Sequence, residues 1–279
     1  MRWEGGRRSG VEDRRGMGGP GMIGGGGIVV VLIALAGYYF FGIDPQAVMS
    51  GLESVQGGQQ QEASVGNPQD EAGAFVDVIH TSANDTWAEM FQAQGKRYEP
   101  SKVVLYDNAT GTGCGTGQAA MGPFYCPADN RVYLDLNFWS TLDQQLGAKG
   151  DYARAYVIAH EVGHHVQNQL GISDYVEQQS RQVSKSAANA LSVKLELQAD
   201  CYAGVWANRS NTKMNWLEAG DIEEAIGAAS AVGDDTLQQA SQGRVVPDSF
   251  THGSSADRIK WFRTGFARGN PQDCDTFGV

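Results

Sequence analysis

Positive charge, cysteine and histidine are all scarce in this chain, and each shortage narrows what it can do. Lysine and arginine together number 21 against 32 acidic residues, a net charge of −11. Once the amino-terminal arginines are set aside no basic patch remains, so nucleic-acid binding, which needs positive charge concentrated against phosphate, is disfavoured. The stretch Gly111-Thr-Gly-Cys-Gly-Thr-Gly117 lacks both the lysine and the following apolar helix of a phosphate-binding loop. The four cysteines, at 114, 126, 201 and 274, do not show the close paired spacing of a structural zinc knuckle. Only five histidines occur, so any two in a chemically meaningful spacing stand out.

Two do. Residues 156–168 contain His160, Glu161 and His164 in the H-E-x-x-H arrangement. Histidines four apart on a helix lie on one face and can grip one ion. Glu161 sits about 100° round the helix from His160, placed to take a proton from metal-bound water without being a ligand. Val157, Ile158, Val162 and Val166 supply apolar surface around them, and the spacing predicts a helix over 152–169 capped by Gly171.

A catalytic zinc ion usually has three protein ligands. The next helical stretch, Val193 to Trp206, offers Glu196 and Asp200 four apart in an otherwise apolar segment. Glu196 is assigned as the third ligand, and Asp200 as the acceptor that orients a ligating imidazole, most simply His160. The reverse assignment, with Asp200 on the metal, stays open. Of the other histidines, His165 points away from the ligand face and reads as packing or a local hydrogen bond, and His80 as an ordinary helix or cap residue. His252 lies in Ser249-Phe-Thr-His-Gly-Ser-Ser-Ala-Asp-Arg258 and is the candidate donor to an oxyanion, with a structural loop histidine as the rival. Arg258 would hold that loop or a substrate carboxylate.

These segments resemble the bacterial neutral zinc metallopeptidase family. The resemblance is carried by Cys114-Gly-Thr-Gly, Gly122-Pro-Phe-Tyr-Cys-Pro127, Val132-Tyr-Leu-Asp135, His160-Glu-Val-Gly-His-His-Val-Gln167, Glu196-Leu-Gln-Ala-Asp-Cys-Tyr-Ala-Gly204 and His252-Gly253 with Arg258. It implies a zincin-like domain with His160 and His164 as zinc ligands and Glu161 as the catalytic glutamate. Glu196 and Asp200 resemble the Glu-x-x-x-Asp element of gluzincin-type peptidases. Related membrane zincins take an active-site histidine from a Thr-His-Pro element, where this chain has Thr251-His-Gly253.

Location is read from the amino terminus. Arg2, Arg7, Arg8, Arg14 and Arg15 precede an uncharged run from Ile23 to Ile43. At 1.5 Å per residue that run covers about 31 Å, enough for a bilayer core. The expected organisation is a Gly/Arg-rich cytoplasmic tail over 1–22, a single transmembrane helix over 23–43, a flexible spacer over 44–72 and a peptidase domain over 73–279 outside the cytoplasm. A cleavable signal peptide is the rival.

Within the domain, Lys102-Val-Val-Leu-Tyr106 and Arg131-Val-Tyr-Leu-Asp-Leu136 read as short strands, and 174–209 and 217–231 as helical, an α+β pattern. Strand 132–136 is expected at a sheet edge beside the metal, where a substrate chain adds. In an exported domain the cysteines are expected to pair as Cys114 with Cys126 and Cys201 with Cys274, one of the three pairings the sequence permits. The functional reading is a membrane-anchored zinc endopeptidase acting on a peptide or protein. The alternatives are a zinc-stabilised, non-catalytic interaction protein of the cell envelope and a zinc amidase acting on a cell-wall peptide.

Overall fold

The structure is a computed structural model that describes residues 1–17 and 64–278. The uncharged run 23–43 lies outside them. No helix among the described residues is long and apolar enough to cross a membrane.

A five-stranded sheet has the order β2 (Ser64–Gly66), β1 (Val11–Asp13), β3 (Lys102–Tyr106), β7 (Arg131–Asp135), β6 (Phe124–Cys126). The three inner strands β1, β3 and β7 run parallel, and β2 and β6 flank them antiparallel. A separate hairpin, β4 (Ala109–Thr112) with β5 (Gly115–Gln118), fills the glycine-rich stretch between β3 and β6. Alternation explains why β3 and β7 are central. Val103, Leu105, Val132 and Leu134 enter the main core, whereas Val104, Tyr106 and Tyr133 join Cys126 in a smaller cluster. A strand buried on both faces needs apolar residues in both registers, and these two have them.

The expectation for 132–136 is corrected by this order. The strand is interior, and the edge strand on its side of the sheet is β6, which pairs Phe124 with Tyr133 and Tyr125 with Val132. The Phe124 and Tyr133 rings stack at 5.1 Å, the cross-strand aromatic contact that holds so short an edge in place.

Seven α-helices of more than one turn occur among the described residues: α1 (Glu71–Ala93), α2 (Asp151–Gln169), α3 (Ile172–Ser180), α4 (Lys185–Met214), α5 (Asp221–Ala231), α6 (Asp234–Gln242) and α7 (Ser255–Arg268). Helix α2 matches its expected span, and Gly171 takes a left-handed conformation just beyond it. The helical region expected over 174–209 is instead two helices. The second starts afresh because the Ser184 hydroxyl accepts from the Ala187 N–H, satisfying an otherwise orphaned donor. Helices α4 and α7 cross with backbones nearly touching, since a Cβ on Gly265 would meet the Cys201 carbonyl oxygen and one on Gly204 the Phe262 carbonyl oxygen. This close approach brings the middle of α7 against the Asp200 turn of α4.

Residues 1–17, expected as part of a tail apart from the domain, belong to it. Val11 is fully buried, and Trp3 packs edge-on to Phe75 at 5.3 Å. The buried Asp77 accepts from Arg8 Nε and from the N–H groups of Ser9 and Gly10. Each of the five arginines stands beside a carboxylate: Arg2 by Glu218, Arg7 by Asp85, Arg8 by Asp77, Arg14 by Glu12, and Arg15 by Asp13 and Asp70. The domain therefore resumes at Ser64 rather than Gly73, because 64–66 complete the sheet and Asp70 caps α1.

Both expected disulfides are present. Cys114–Cys126 ties the hairpin to β6, and Cys201–Cys274 ties the carboxyl-terminal segment to α4 next to Asp200.

Candidate metal centre

Helix α2 presents His160 and His164 on one face, and α4 brings Glu196 opposite them. His160 Nε2 lies 3.2 Å from Glu196 Oε2, His164 Nε2 lies 3.4 Å from Glu196 Oε1, and the two Nε2 atoms are 3.1 Å apart. The outer ring nitrogens are already engaged. His160 Nδ1 donates to Asp200 Oδ1 at 2.9 Å and His164 Nδ1 to Gln167 Oε1 at 2.9 Å. With both Nδ1 protons committed, two imidazole lone pairs and a carboxylate face one point. Such a set repels itself unless a cation sits among it. Burial alone would depress His160, yet the carboxylates of Asp200 and Glu196 outweigh it and lift the imidazole to about 10, so this corner takes up positive charge strongly. His₂Glu is a donor set that suits a catalytic zinc ion, which keeps a fourth position for water.

Glu161 is buried beside this cluster. Burial pushes its carboxyl up, while the histidines and the Tyr125 backbone of β6 pull the other way. A raised carboxyl suits a general base working near neutral pH. Edge strand β6 and the metal corner are thus neighbours.

Asp200 is fully buried and gathers four donors. Besides His160 it accepts from the Tyr156 hydroxyl and, in a two-pronged contact, from Arg258 Nε at 2.8 Å and Nη2 at 2.9 Å. Burial would raise this carboxyl; the Arg258 guanidinium, then His160, hold it below its usual range. Arg258 also donates to the Val232 carbonyl and the Tyr156 oxygen, so its guanidinium is engaged in the interior and not, as expected, by the Thr251–Gly253 loop or free for a substrate carboxylate. Tyr156 and Gln167 were not singled out from sequence. Both carry a helical signal, Tyr156 one turn before His160 and Gln167 three residues after His164.

His252 is at the surface. Its side chain is 53 % exposed, and Nδ1 lies 3.2 Å from Asp234 Oδ1. Asp234 Oδ2 accepts from the N–H groups of Thr251, His252 and Gly253, gathering the loop into a tight arch. Gly253 has φ 98°, and a Cβ there would come within 3.2 Å of Val193 and Leu197 on α4. The loop is therefore seated on the α4 turn that carries Glu196. His165 is buried; its Nε2 donates to the Glu99 carbonyl at 2.7 Å and its Nδ1 lies 3.0 Å from the Tyr125 hydroxyl, while His80 is buried against Ser101 Oγ.

Among the described residues a second acidic group, Asp151, Asp221 and Glu224, has metal-like spacing. The Met1 ammonium already lies there, 2.9 Å from Asp151 and 3.4 Å from Asp221, and supplies the positive charge.

A helix bearing two histidines and a buried glutamate, met by a glutamate from a second helix, defines a zinc metallopeptidase. The comparisons agree: the family described as "Putative neutral zinc metallopeptidase" matches residues 1–277, and the chain belongs to it. It is 51 % identical over 289 residues to "Uncharacterized protein YpfJ" of Escherichia coli (strain K12), covering 100 % of this chain and 99 % of that protein. It is 44 % identical over 192 residues to "Uncharacterized protein Mb2605" of Mycobacterium bovis, covering 65 % of this chain and 64 % of the relative. No solved structure matches.

Proposed function

We propose that the protein is an endopeptidase in which His160, His164 and Glu196 hold a zinc ion and Glu161 is the general base. The observation that carries this is the meeting of His160 Nε2, His164 Nε2 and the Glu196 carboxylate beside the buried Glu161. Zinc, when bound, supplies a Lewis acid that makes water a usable nucleophile at neutral pH. Glu161 takes the proton from that water and returns it to the leaving amine. Asp200 holds His160 in the tautomer that leaves Nε2 free, and Gln167 does the same for His164.

The substrate backbone lies along β6, the edge strand beside Glu161, adding to the sheet through backbone hydrogen bonds. His252, with Nδ1 turned to Asp234, donates from Nε2 to the developing oxyanion. The chain associates with a membrane through the run 23–43. The two disulfides support a location outside the cytoplasm for the peptidase domain.

The test is Glu161→Gln in the full-length protein. The amide keeps the side-chain shape but cannot act as a base, so zinc content should stay stoichiometric while cleavage of a diverse peptide library, followed by mass spectrometry, is lost. Undiminished cleavage would refute the mechanism. Tight zinc binding by the unaltered protein with no peptide cut would instead favour the non-catalytic interaction protein.

A further inference from the structure

The two stretches of chain on either side of residues 18–63 are hydrogen-bonded to each other. Asp13 pairs with Ser64, Glu12 with Val65 and Val11 with Gly66 in one antiparallel ladder. The outgoing and returning chain therefore stand side by side at one edge of the sheet. Beyond β1 the chain is held further by the Arg14 N–H on the Leu105 carbonyl and the Gly16 N–H on Asp107. All of the uncharged run 23–43 falls in the connection between them.

A single membrane crossing in that connection would put residues 1–17 and residues 64–278 on opposite faces. The packing forbids it. Withdrawing the segment would open the edge of β3, expose the buried Val11 and strand the buried Asp77 without Arg8, Ser9 and Gly10. Residues 44–63 cannot bring the chain back as a second crossing, since Asp44, Glu53 and Glu62 interrupt a glutamine- and glycine-rich stretch. The arginines that would retain the segment in the cytoplasm by charge are spent on carboxylates of the domain itself.

We infer that residues 1–17 and 64–278 lie on the same side of the membrane, with the β1–β2 edge of the sheet facing the lipid bilayer. This rests on the membrane association proposed above, and it differs from a single-pass anchor in keeping both described stretches on one face. The 77 % exposed Val65 lies on that edge. Edge strand β6, beside Glu161, is four strands away, about 19 Å at 4.8 Å per strand.

The experiment uses full-length protein in sealed right-side-out membrane vesicles, with single variants Glu4→Cys and Lys96→Cys, both at exposed positions. A membrane-impermeant maleimide is applied before and after permeabilisation, and retained zinc content certifies folding. Equal labelling of the two sites, a ratio of about one in either condition, is expected. Labelling of one site with protection of the other until permeabilisation would overturn the inference. Protection of both until permeabilisation would uphold the shared side while refuting the extracytoplasmic location in the functional proposal.

Discussion

Arg258 reaches Asp200 with two nitrogens at 2.8 and 2.9 Å in a place where neither side chain meets solvent. The pair links α7 to the helix that carries Glu196, and Asp200 passes the constraint on to His160. Replacing Arg258 with Met should leave a buried carboxylate uncompensated and lower the stability of the metal-free protein by about 3–5 kcal/mol. Urea unfolding of both proteins measures this. A change under about 1 kcal/mol would mean that Tyr156 and His160 alone satisfy Asp200.

Asp200→Asn should act on the metal rather than mainly on the fold. An amide can still accept from His160 Nδ1, but without its charge the imidazole is a weaker ligand. Zinc affinity should fall about 10- to 100-fold, read by competition with a chromogenic chelator. Glu196→Gln removes a ligand oxygen's charge outright and should weaken zinc more than Asp200→Asn does. The opposite ranking would move Asp200 onto the metal.

His80 predicts a pH dependence of stability. Burial, helped by the charge of His165, lowers its pKa from 6.5 to about 3. Between those values the unfolded chain binds a proton that the folded chain refuses, so stability rises with pH across that window and is lost as pH falls through it. Above about 6.5 His80 contributes no slope. His80→Gln should flatten the decline in unfolding free energy between pH 6.5 and pH 4 measured by chemical denaturation. An unchanged decline would assign it to the other buried groups.

The disulfides should differ in weight. Cys114 and Cys126 are 12 apart and Cys201 and Cys274 are 73 apart, so loop-closure entropy assigns about 3 and about 4 kcal/mol respectively. Paired serine substitutions test this by denaturant unfolding. Replacing the Cys201/Cys274 pair should also loosen the Gln198 contact to the Cys274 carbonyl, two residues from Glu196, and so reduce zinc retention.

What was legible in the sequence was local. The α2 helix, its histidines and the segments of β3 and β7 follow from short-range periodicity, and of the three ways to join four thiols the two expected pairs are the ones formed. Contacts set by distant chain were harder. Val11-Glu-Asp13 has one apolar residue and no strand pattern, and it becomes a strand because β3 and β2 pair with it and Arg14 and Arg131 neutralise Glu12. Phe124-Tyr-Cys126 is equally short, so the true sheet edge was missed and 132–136 was put in its place. Arg258 read as a loop or substrate residue because its partner lies 58 residues away, brought near only by the Gly204–Gly265 crossing.

Because β1 is inserted between β2 and β3, the sheet is completed by a strand that the ribosome makes before either of its two neighbours. A chain begun at Ser64 to avoid the apolar run would display a bare β3 edge and should self-associate. A synthetic peptide of residues 1–17 added in trans should rescue its solubility, as a missing strand does when it is donated.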